Sequence, residues 1–250
     1  EPILIRGGPI ALAALVAGEV DFATGIGVQA PIRARARGLD VVIIGSVLDK
    51  ATYGLVGNRE TRTLADLKGK IVGVTGAGAF SDFVVRTFLK RNGIDPDRDV
   101  TLRAVGSSSL RAVALERGLI AVAPFGGEEV VGLTKKGFPL IANLGESLAI
   151  PQSLLVTRRE LLEKYPETTK HFLRALIVSL QFTKSNKEEA IKAGYAAGLT
   201  GEQDMVSKAY DLFIPAYSSD LSIPFDGLQE VLAEDIRSGG VDRVLVDRHI

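Results

Sequence analysis

The sequence contains no cysteine and only two histidines, His171 and His249, among its 250 residues. Disulfide bonds, cysteine-based zinc sites and thiol chemistry are therefore excluded, and one chain cannot supply a multi-histidine metal site. Lysine plus arginine number 30, and aspartate plus glutamate also number 30, so the formal net charge is zero. Because nucleic-acid-binding domains are normally basic, this balance argues against a nucleic-acid partner. We predict no metal and no cofactor.

The chain also lacks a long apolar run, although 46% of its residues are hydrophobic. The longest apolar stretches, 9–18 and 41–48, are broken by glycine or charge and are shorter than the ~18 residues of a membrane span. The apolar residues therefore belong to a core with buried strands. The first residue is Glu1 and not Met, so we expect a processed or truncated start. A missing signal segment then says nothing about the compartment.

Strand and helix patterns alternate through the first 157 residues. Residues 41–47 form a β-branched run typical of a buried strand, and residues 82–91 have the apolar spacing of an amphipathic helix. We also predict a strand over 119–123. Such alternation favours a mostly parallel sheet with helices on both faces. From residue 159 onward the pattern changes to consecutive helices, which predicts two lobes and a helical C-terminal layer.

Two segments resemble each other at an offset of 100 residues. The matching positions are Ala14, Leu15, Gly18, Ala23 and Gly27 in the first segment and Ala114, Leu115, Gly118, Ala123 and Gly127 in the second. We interpret the pair as a structural repeat, although two strand–helix–strand units could share these small residues by chance. The second copy follows a further strand–helix unit, at 70–93, and the first copy follows none. We therefore expect about thirty residues, one strand–helix unit, to be missing before Glu1.

Several blocks resemble the solute-binding proteins of bacterial ABC importers. They are Ala-Leu-Val-Ala-Gly-Glu-Val-Asp-Phe-Ala (14–23), Thr-Leu-Ala-Asp-Leu-Lys-Gly-Lys-Ile-Val-Gly-Val (63–74), residues 76–88, Asn-Gly-Ile-Asp-Pro-Asp-Arg-Asp-Val (92–100) and Val-Asp-Arg-Val-Leu-Val-Asp (241–247). The most similar class is the nitrate, sulfonate and taurine group, whose relatives also bind thiamine-precursor pyrimidines and aromatic acids. The resemblance covers nearly the whole chain, but it does not specify a ligand.

The resemblance implies an α/β fold, the two-lobed type 2 periplasmic binding protein fold. Each lobe is then a mostly parallel sheet flanked by helices, with a helical C-terminal layer. Residues 1–57 would form the first part of lobe I and 58–150 would form lobe II. Residues 151–250 would supply the return crossing strand, the rest of lobe I and the C-terminal helices.

The resemblance also implies a function. The chain would be a monomeric binding protein, not an enzyme, located in the periplasm or anchored outside the cytoplasm. It would capture a small anionic or zwitterionic organic solute by lobe closure and deliver it to the transmembrane subunits of an ABC permease. Sulfonates, nitrate-like oxyanions and aromatic carboxylates remain open as solutes. A menaquinone-pathway type lyase on the same fold and a ligand-sensing module of a signalling protein remain as alternatives.

The strongest candidate binding segment is 75–81, between a predicted strand and a predicted helix. Backbone N–H groups at 76–79 can line an anion, the Ser81 hydroxyl adds a donor, and the helix contributes roughly +0.5 charge at its N-terminus. The segment could instead be an ordinary turn. Gly76-x-Gly78-x-x-Ser81 also approximates a dinucleotide fingerprint, but Ser replaces the third glycine and no acidic residue closes the next strand.

Other candidates come from the remaining strand ends and from the two predicted crossings. The aromatic ring of Phe125 could stack on a solute or simply pack, and Arg6 could pair with an anion or remain solvated. Glu128 and Glu129 begin a helix, where acidic residues are favourable in any case. The complete predicted ligand-binding set is Gly7, Gly8, Thr24, Gly25, Tyr53, Thr75, Gly76, Ala77, Gly78, Ala79, Phe80, Ser81, Ser107, Pro124, Phe125 and Gln152.

Overall fold

A computed structural model of the chain describes residues 3, 5, 8–237 and 239–242. The helices and strands are, in chain order, α1 (Gly8–Ala17), β1 (Phe22–Ile26), α2 (Gln29–Ala36), β2 (Val41–Leu48), β3 (Gly54–Gly57), β4 (Ile71–Val74), α3 (Phe80–Arg91), β5 (Thr101–Ala104), α4 (Ser108–Glu116), β6 (Val122–Phe125), α5 (Gly127–Lys135), β7 (Leu140–Asn143), α6 (Leu144–Ser147), β8 (Ser153–Arg158), α7 (Arg159–Lys164), α8 (Pro166–Ser185), α9 (Lys187–Ala196), α10 (Gln203–Phe213) and α11 (Phe225–Arg237). Short 3-10 helices cover Leu64–Leu67 and Ile214–Ala216.

The chain divides into two compact units. Unit 1 comprises the chain up to Lys50, Ala149–Ser185 and the chain from Tyr217 onward, and unit 2 comprises Ala51–Leu148 and Asn186–Ala216. In unit 1 the strand order is β1-β8-β2, and β8 runs antiparallel to both neighbours. β1 and β2 therefore share one direction, with the strand from the later part of the chain inserted between them.

Unit 2 contains a five-stranded sheet in the order β5-β4-β6-β3-β7. β4 pairs in parallel with β5 and β6, whereas β3 pairs antiparallel with β6 and β7. The core of this unit contains Val56, Leu115, Phe125, Val130 and Phe213, all buried. Because β4, β5 and β6 run the same way, their carboxyl ends meet at one edge of the sheet, where ligands bind in open α/β sheets.

The division of the chain differs from the expected boundaries at 186–216, which packs in unit 2. The reason lies in the packing of α10 against α5. Phe213 belongs to the core around Phe125, and a Cβ on Gly127 would lie only 2.9 Å from the Cβ of Ala209. A glycine at this position lets the two helices approach closely.

The two segments at an offset of 100 residues have the same order of elements, helix–strand–helix. Both first helices end in the same way. Gly18 donates to the carbonyl of Leu15, and Gly118 donates to the carbonyl of Leu115. Both glycines have positive φ, 81° and 69°, which favours glycine at a helix end. The strand that follows α4 is β6, at Val122–Phe125, and it starts later than the predicted 119–123. The reason is that the N–H groups of residues 118 and 119 still bond to carbonyls of the last turn of α4.

The strand β7 and the helix α6 were not predicted, and α3 begins earlier than predicted. β7 is a four-residue strand with little periodicity, and its pairing with β3 defines it. α3 begins at Phe80, two residues before the predicted start at 82. Within the described residues, no helix combines the length and the apolar character needed to cross a bilayer.

A buried carboxylate in unit 1 generates a prediction about pH. Oδ1 of Asp49 is buried and meets no hydrogen-bond partner among the described residues. Burial raises the pKa of Asp49 and is the largest effect, opposed by hydrogen bonds with Ser46 and Ser218. Asp220 adds to the increase, and Lys184 opposes it. A raised pKa means that the folded chain holds this proton more tightly than the unfolded chain does.

We therefore expect the Asp49 contribution to stability to decrease as pH rises from about 4 through the folded-state pKa. Asp49→Asn should raise the free energy of unfolding at pH ~8, by less than ~1 kcal/mol because the side chain is only half-buried. Urea unfolding at pH ~5 and pH ~8 measures this. Asp220→Asn is the control, and it should lower the free energy of unfolding at pH ~8. The reason is that the backbone N–H of Ser222 donates to Asp220 and lowers its pKa. Equal stability of Asp49→Asn and the parent chain at pH ~8 would contradict the prediction.

Candidate functional site

The loop between β4 and α3 in unit 2 is held by side chains of the helix that follows it. The N–H of Thr75 donates to Oγ of Ser81 at 3.0 Å, and the N–H of Gly78 donates to Oδ2 of Asp82 at 2.9 Å. Gly78 has a φ of 71°, a left-handed conformation that favours glycine. Ser81 and Asp82 are buried, whereas Thr75 is exposed. These hydrogen bonds therefore fix the shape of the loop.

Helix α3 starts without a side-chain cap. Its N-cap residue is Ala79, whose methyl group cannot accept a hydrogen bond. Among the residues that the structure describes, the N–H groups of Gly76, Ala77 and Phe80 meet no acceptor. These donors lie at the positive end of the helix dipole, which is a favourable place for an anion.

Arg111 joins the carboxyl ends of the three parallel strands. Its side chain, on α4, is only 2% exposed. All five guanidinium N–H groups have acceptors. Nε and Nη2 donate to the carbonyl of Pro124 (3.2 and 3.1 Å), Nη1 donates to the carbonyl of Gly106 (2.6 Å) and to Oγ1 of Thr75 (2.8 Å), and Nη2 also donates to Oγ of Ser108 (3.4 Å).

The positive charge of Arg111 has no carboxylate partner. In the described part of the chain, no carboxylate oxygen forms an ion pair with this guanidinium within 4.0 Å. Burial lowers the pKa of Arg111, and the more distant Tyr53 and Glu129 oppose the decrease. Buried charges in proteins are normally paired, because an isolated buried ion is costly. A buried, uncompensated cation beneath the exposed Thr75 therefore indicates a place for a negative charge.

Three aromatic side chains belong to the same part of unit 2 as this cation. Phe125 is fully buried, and Cζ of Arg111 lies 5.8 Å from its ring centroid. Phe125 therefore packs beneath the guanidinium in the core, which is one of the two roles that the sequence leaves open for it. Tyr53 and Phe80 form a tilted pair with ring centroids 6.1 Å apart. Burial raises the pKa of the Tyr53 phenol, and the positive charge of Arg111 opposes the increase.

A carboxylate approaches the site from α5. Helix α5 also starts without a side-chain cap, at Gly126. Oε2 of Glu129 lies 3.3 Å from the position that a Cβ on Gly126 would occupy. The neighbouring Glu128 turns elsewhere, with Oε1 3.2 Å from the equivalent position on Gly201. Of the two acidic residues, Glu129 is the one that acts electrostatically on Arg111 and Tyr53.

The structure brings most of the predicted set together in unit 2. The members that lie there are Tyr53, Thr75, Gly76, Ala77, Gly78, Ala79, Phe80, Ser81, Ser107, Pro124 and Phe125. Their roles within the unit differ. Ser107 caps α4 by accepting the N–H of Leu110, and the carbonyl of Pro124 accepts from Arg111. The Ser81 hydroxyl is buried against Thr75, and Thr75 is the exposed residue of the pair.

The other predicted residues belong to unit 1 or lie outside the description. Thr24 and Gly25 are in β1, where the N–H of Gly25 donates to Oγ of Ser153 at 3.1 Å. Gln152 donates its N–H to the carbonyl of Leu48, and Gly8 is the first residue of α1. Gly7 and Arg6 lie outside the described residues.

Sequence reasoning missed Arg111, Asp82 and the difference between Glu128 and Glu129. A signal for Arg111 was present. It lies three and four residues before the buried pair Ala114 and Leu115, so an arginine shares the apolar face of α4. An arginine on such a face needs buried acceptors, and the nearby strand ends provide them.

Comparison with known proteins identifies the fold. The NMT1/THI5-like family model matches residues 5–190. The periplasmic aliphatic sulphonate binding protein SsuA from Escherichia coli is 20% identical with a TM-score of 0.79, over 98% of this chain and 84% of that one. The alkanesulfonate-binding protein SsuA from Xanthomonas axonopodis pv. citri, bound to MOPS, is 20% identical with a TM-score of 0.68, over 95% and 81%.

A third similar structure is an ABC transporter from Parabacteroides distasonis, 19% identical with a TM-score of 0.71 over 97% of this chain and 82% of that one. No curated protein matches the chain in sequence. The chain therefore has the α/β fold of the periplasmic binding proteins, and at these identities the similar structures establish the fold alone.

The buried guanidinium generates a stability prediction. Arg111→Met should lower the free energy of unfolding by about 3 kcal/mol, because it leaves the carbonyls of Pro124 and Gly106 buried without donors. Arg111→Lys should recover only part of the loss, since one ammonium group cannot reach all the acceptors. Arg117→Met is the control, because Arg117 is exposed at the end of the same helix. Chemical denaturation measures all three, and equal stability of the two methionine variants would contradict the assignment.

Proposed function

The chain belongs to the NMT1/THI5-like family, and from this premise we propose that it is the solute-binding component of an ABC importer. Its solute is a small anionic or zwitterionic organic molecule, and a sulfonate, a nitrate-like oxyanion or an aromatic carboxylate would suit. It delivers this solute, outside the cytoplasm, to a membrane permease. Sulfonate-binding periplasmic proteins that share the fold support the proposal.

The observation that carries this proposal is the buried positive charge of Arg111. A guanidinium that is 2% exposed and has no carboxylate partner in the described chain keeps part of its desolvation cost uncompensated. An anion bound above Thr75 would supply the missing negative charge. The five hydrogen bonds of Arg111 hold the cation in place. The ligand is therefore attracted by the positive charge without replacing those bonds.

Thr75 is the proposed link between the cation and the solute. Its Oγ1 accepts from Nη1 of Arg111 at 2.8 Å and from Oγ of Ser81 at 2.9 Å. The hydroxyl hydrogen of Thr75 therefore remains to donate outward. Hydrogen bonds in a chain polarise one another, so donation from a positive group strengthens Thr75 as a donor. The free N–H groups of Gly76, Ala77 and Phe80 complete a set of donors for the oxygens of one anionic group.

The chemistry of the described site residues favours binding over catalysis. The groups around Thr75 are hydrogen-bond donors and a fixed cation, and none of them forms a nucleophile–base pair of the kind that hydrolysis or elimination requires. Tyr53 and Phe80 add apolar surface beside the donors, which suits the carbon skeleton of an organic anion.

A ligand screen with two Thr75 variants tests the proposal. Benzenesulfonate, taurine, nitrate and benzoate are each titrated while thermal unfolding is followed, and a true ligand stabilises the chain by about 2.7 kcal/mol at 100 times its Kd. Thr75→Val should weaken binding about ten-fold by removing the outward hydroxyl, whereas the matched control Thr75→Ser should keep it. Calorimetric titration measures both affinities. No stabilisation by any of the four probes, or equal affinities of the two variants, would count against the site.

A further inference from the structure

Arg111 supplies the positive charge of the proposed site. Arg111 is buried without a carboxylate partner in the described chain, whereas Arg86, on the helix α3 that follows the loop, is already paired. Its Nε donates to Oδ1 of Asp82 at 3.0 Å, and its Nη1 donates to Oδ1 of Asp97 at 2.5 Å. Arg86 therefore compensates acidic residues of its own surroundings and adds no net attraction at the loop.

Two carboxylates lie close to the same loop. Asp82 is 5% exposed and accepts the N–H of Gly78, which removes that donor from the ligand. Glu129 folds against Gly126, at the end of the strand whose Pro124 carbonyl binds Arg111. Glu129 is close enough to Arg111 and Tyr53 to affect their titration. The negative groups thus lie where a second negative charge on the ligand would be felt.

The charge of the ligand changes two opposing energies differently. Attraction to a fixed cation grows in proportion to the ligand charge, whereas the cost of removing an ion from water grows with the square of that charge. Arg111 is the single compensating cation, and Glu129 lies nearby. A second negative charge on the ligand therefore adds more desolvation cost than attraction to Arg111. On this basis, and resting on the proposed function, we infer that the site selects singly charged oxyanions and discriminates against doubly charged ones.

The charge limit divides common anionic solutes into two groups. Sulfonates, carboxylates and nitrate carry one charge at neutral pH and fit the site. A phosphate monoester, which loses its second proton near pH ~6, fits only while it keeps that proton. The sequence alone left sulfonates, nitrate-like oxyanions and aromatic carboxylates open, and it set no limit on the charge of the anion.

Two probes of nearly the same shape test the inference. Benzenesulfonate carries one charge at every working pH, whereas phenyl phosphate changes from one charge to two between pH ~5 and pH ~8. Kd is measured by calorimetry for both probes at both pH values. The ratio of the phenyl phosphate Kd to the benzenesulfonate Kd should rise about ten-fold at the higher pH, a factor between those of one unit-charge interaction at ~4 Å in bulk water and near a protein surface. The sulfonate corrects for any pH effect on the protein itself.

A pair of adjacent substitutions assigns the effect to a residue. Glu129→Gln should reduce the rise in the ratio, because it removes the negative charge beside the site. Glu128→Gln makes the same charge change one residue away, where the side chain lies against Gly201, and should leave the rise intact. Equal behaviour of the two variants would overturn the role given to Glu129.

The outcomes separate this inference from the proposed function. If both probes bind and the ratio stays constant or falls at pH ~8, the charge selection is wrong and the binding function stands. If neither probe binds at either pH, and the wider set of anions also fails to stabilise the chain, the proposed function and the inference are both contradicted.

Discussion

The buried guanidinium of Arg111 is the constraint on which the sheet edge of unit 2 depends. Removing a guanidinium from water costs several kcal/mol, and only a full set of acceptors and a well-packed ring offset that cost. The acceptors come from the residues that follow β4 and β5 and from β6 itself. Because one planar group bonds all three, the strand ends and their loops are fixed relative to one another. The same group supplies the charge on which the proposed anion binding depends, so one side chain would serve both the architecture and the proposed function.

The helix starts around this cation are capped unequally. Helix α4 carries an ordinary N-cap, with Ser107 accepting the N–H of Leu110, whereas α3 and α5 start at Ala79 and Gly126 without side-chain caps. A missing Ser or Asp cap costs about 1 kcal/mol of stability. At α3 the missing cap leaves N–H groups open beside Thr75. The missing cap lowers the local stability there. An anionic group of a ligand could accept the same N–H groups that a capping side chain would accept.

The strand, turn and helix around 75–81 could be predicted because their signals are local: a buried strand, small residues that permit a left-handed turn, and an amphipathic helix. Which side chains of the segment are exposed depends on tertiary contacts, and this could not be read from the pattern. Ser81 follows the loop in sequence, yet its hydroxyl faces back toward Thr75. The sequence did not predict that α9 and α10 belong to unit 2, for the same reason. Helical periodicity does not say which sheet a helix covers. β7 carries too little pattern to be recognised without its partner β3.

The two segments at an offset of 100 residues share a backbone framework but differ at one buried helix position. Helices α1 and α4 end with the same glycine and the same carbonyl contacts, so the backbone framework is shared. At the position equivalent to Arg111, α1 carries Ala11, which is buried and uncharged. A scaffold needs only small apolar residues on that helix face, as Ala11 shows. An arginine there requires carbonyls and hydroxyls turned toward it, which unit 2 provides. The shared framework therefore does not require the cation, and the proposed anion site depends on a residue that only α4 carries.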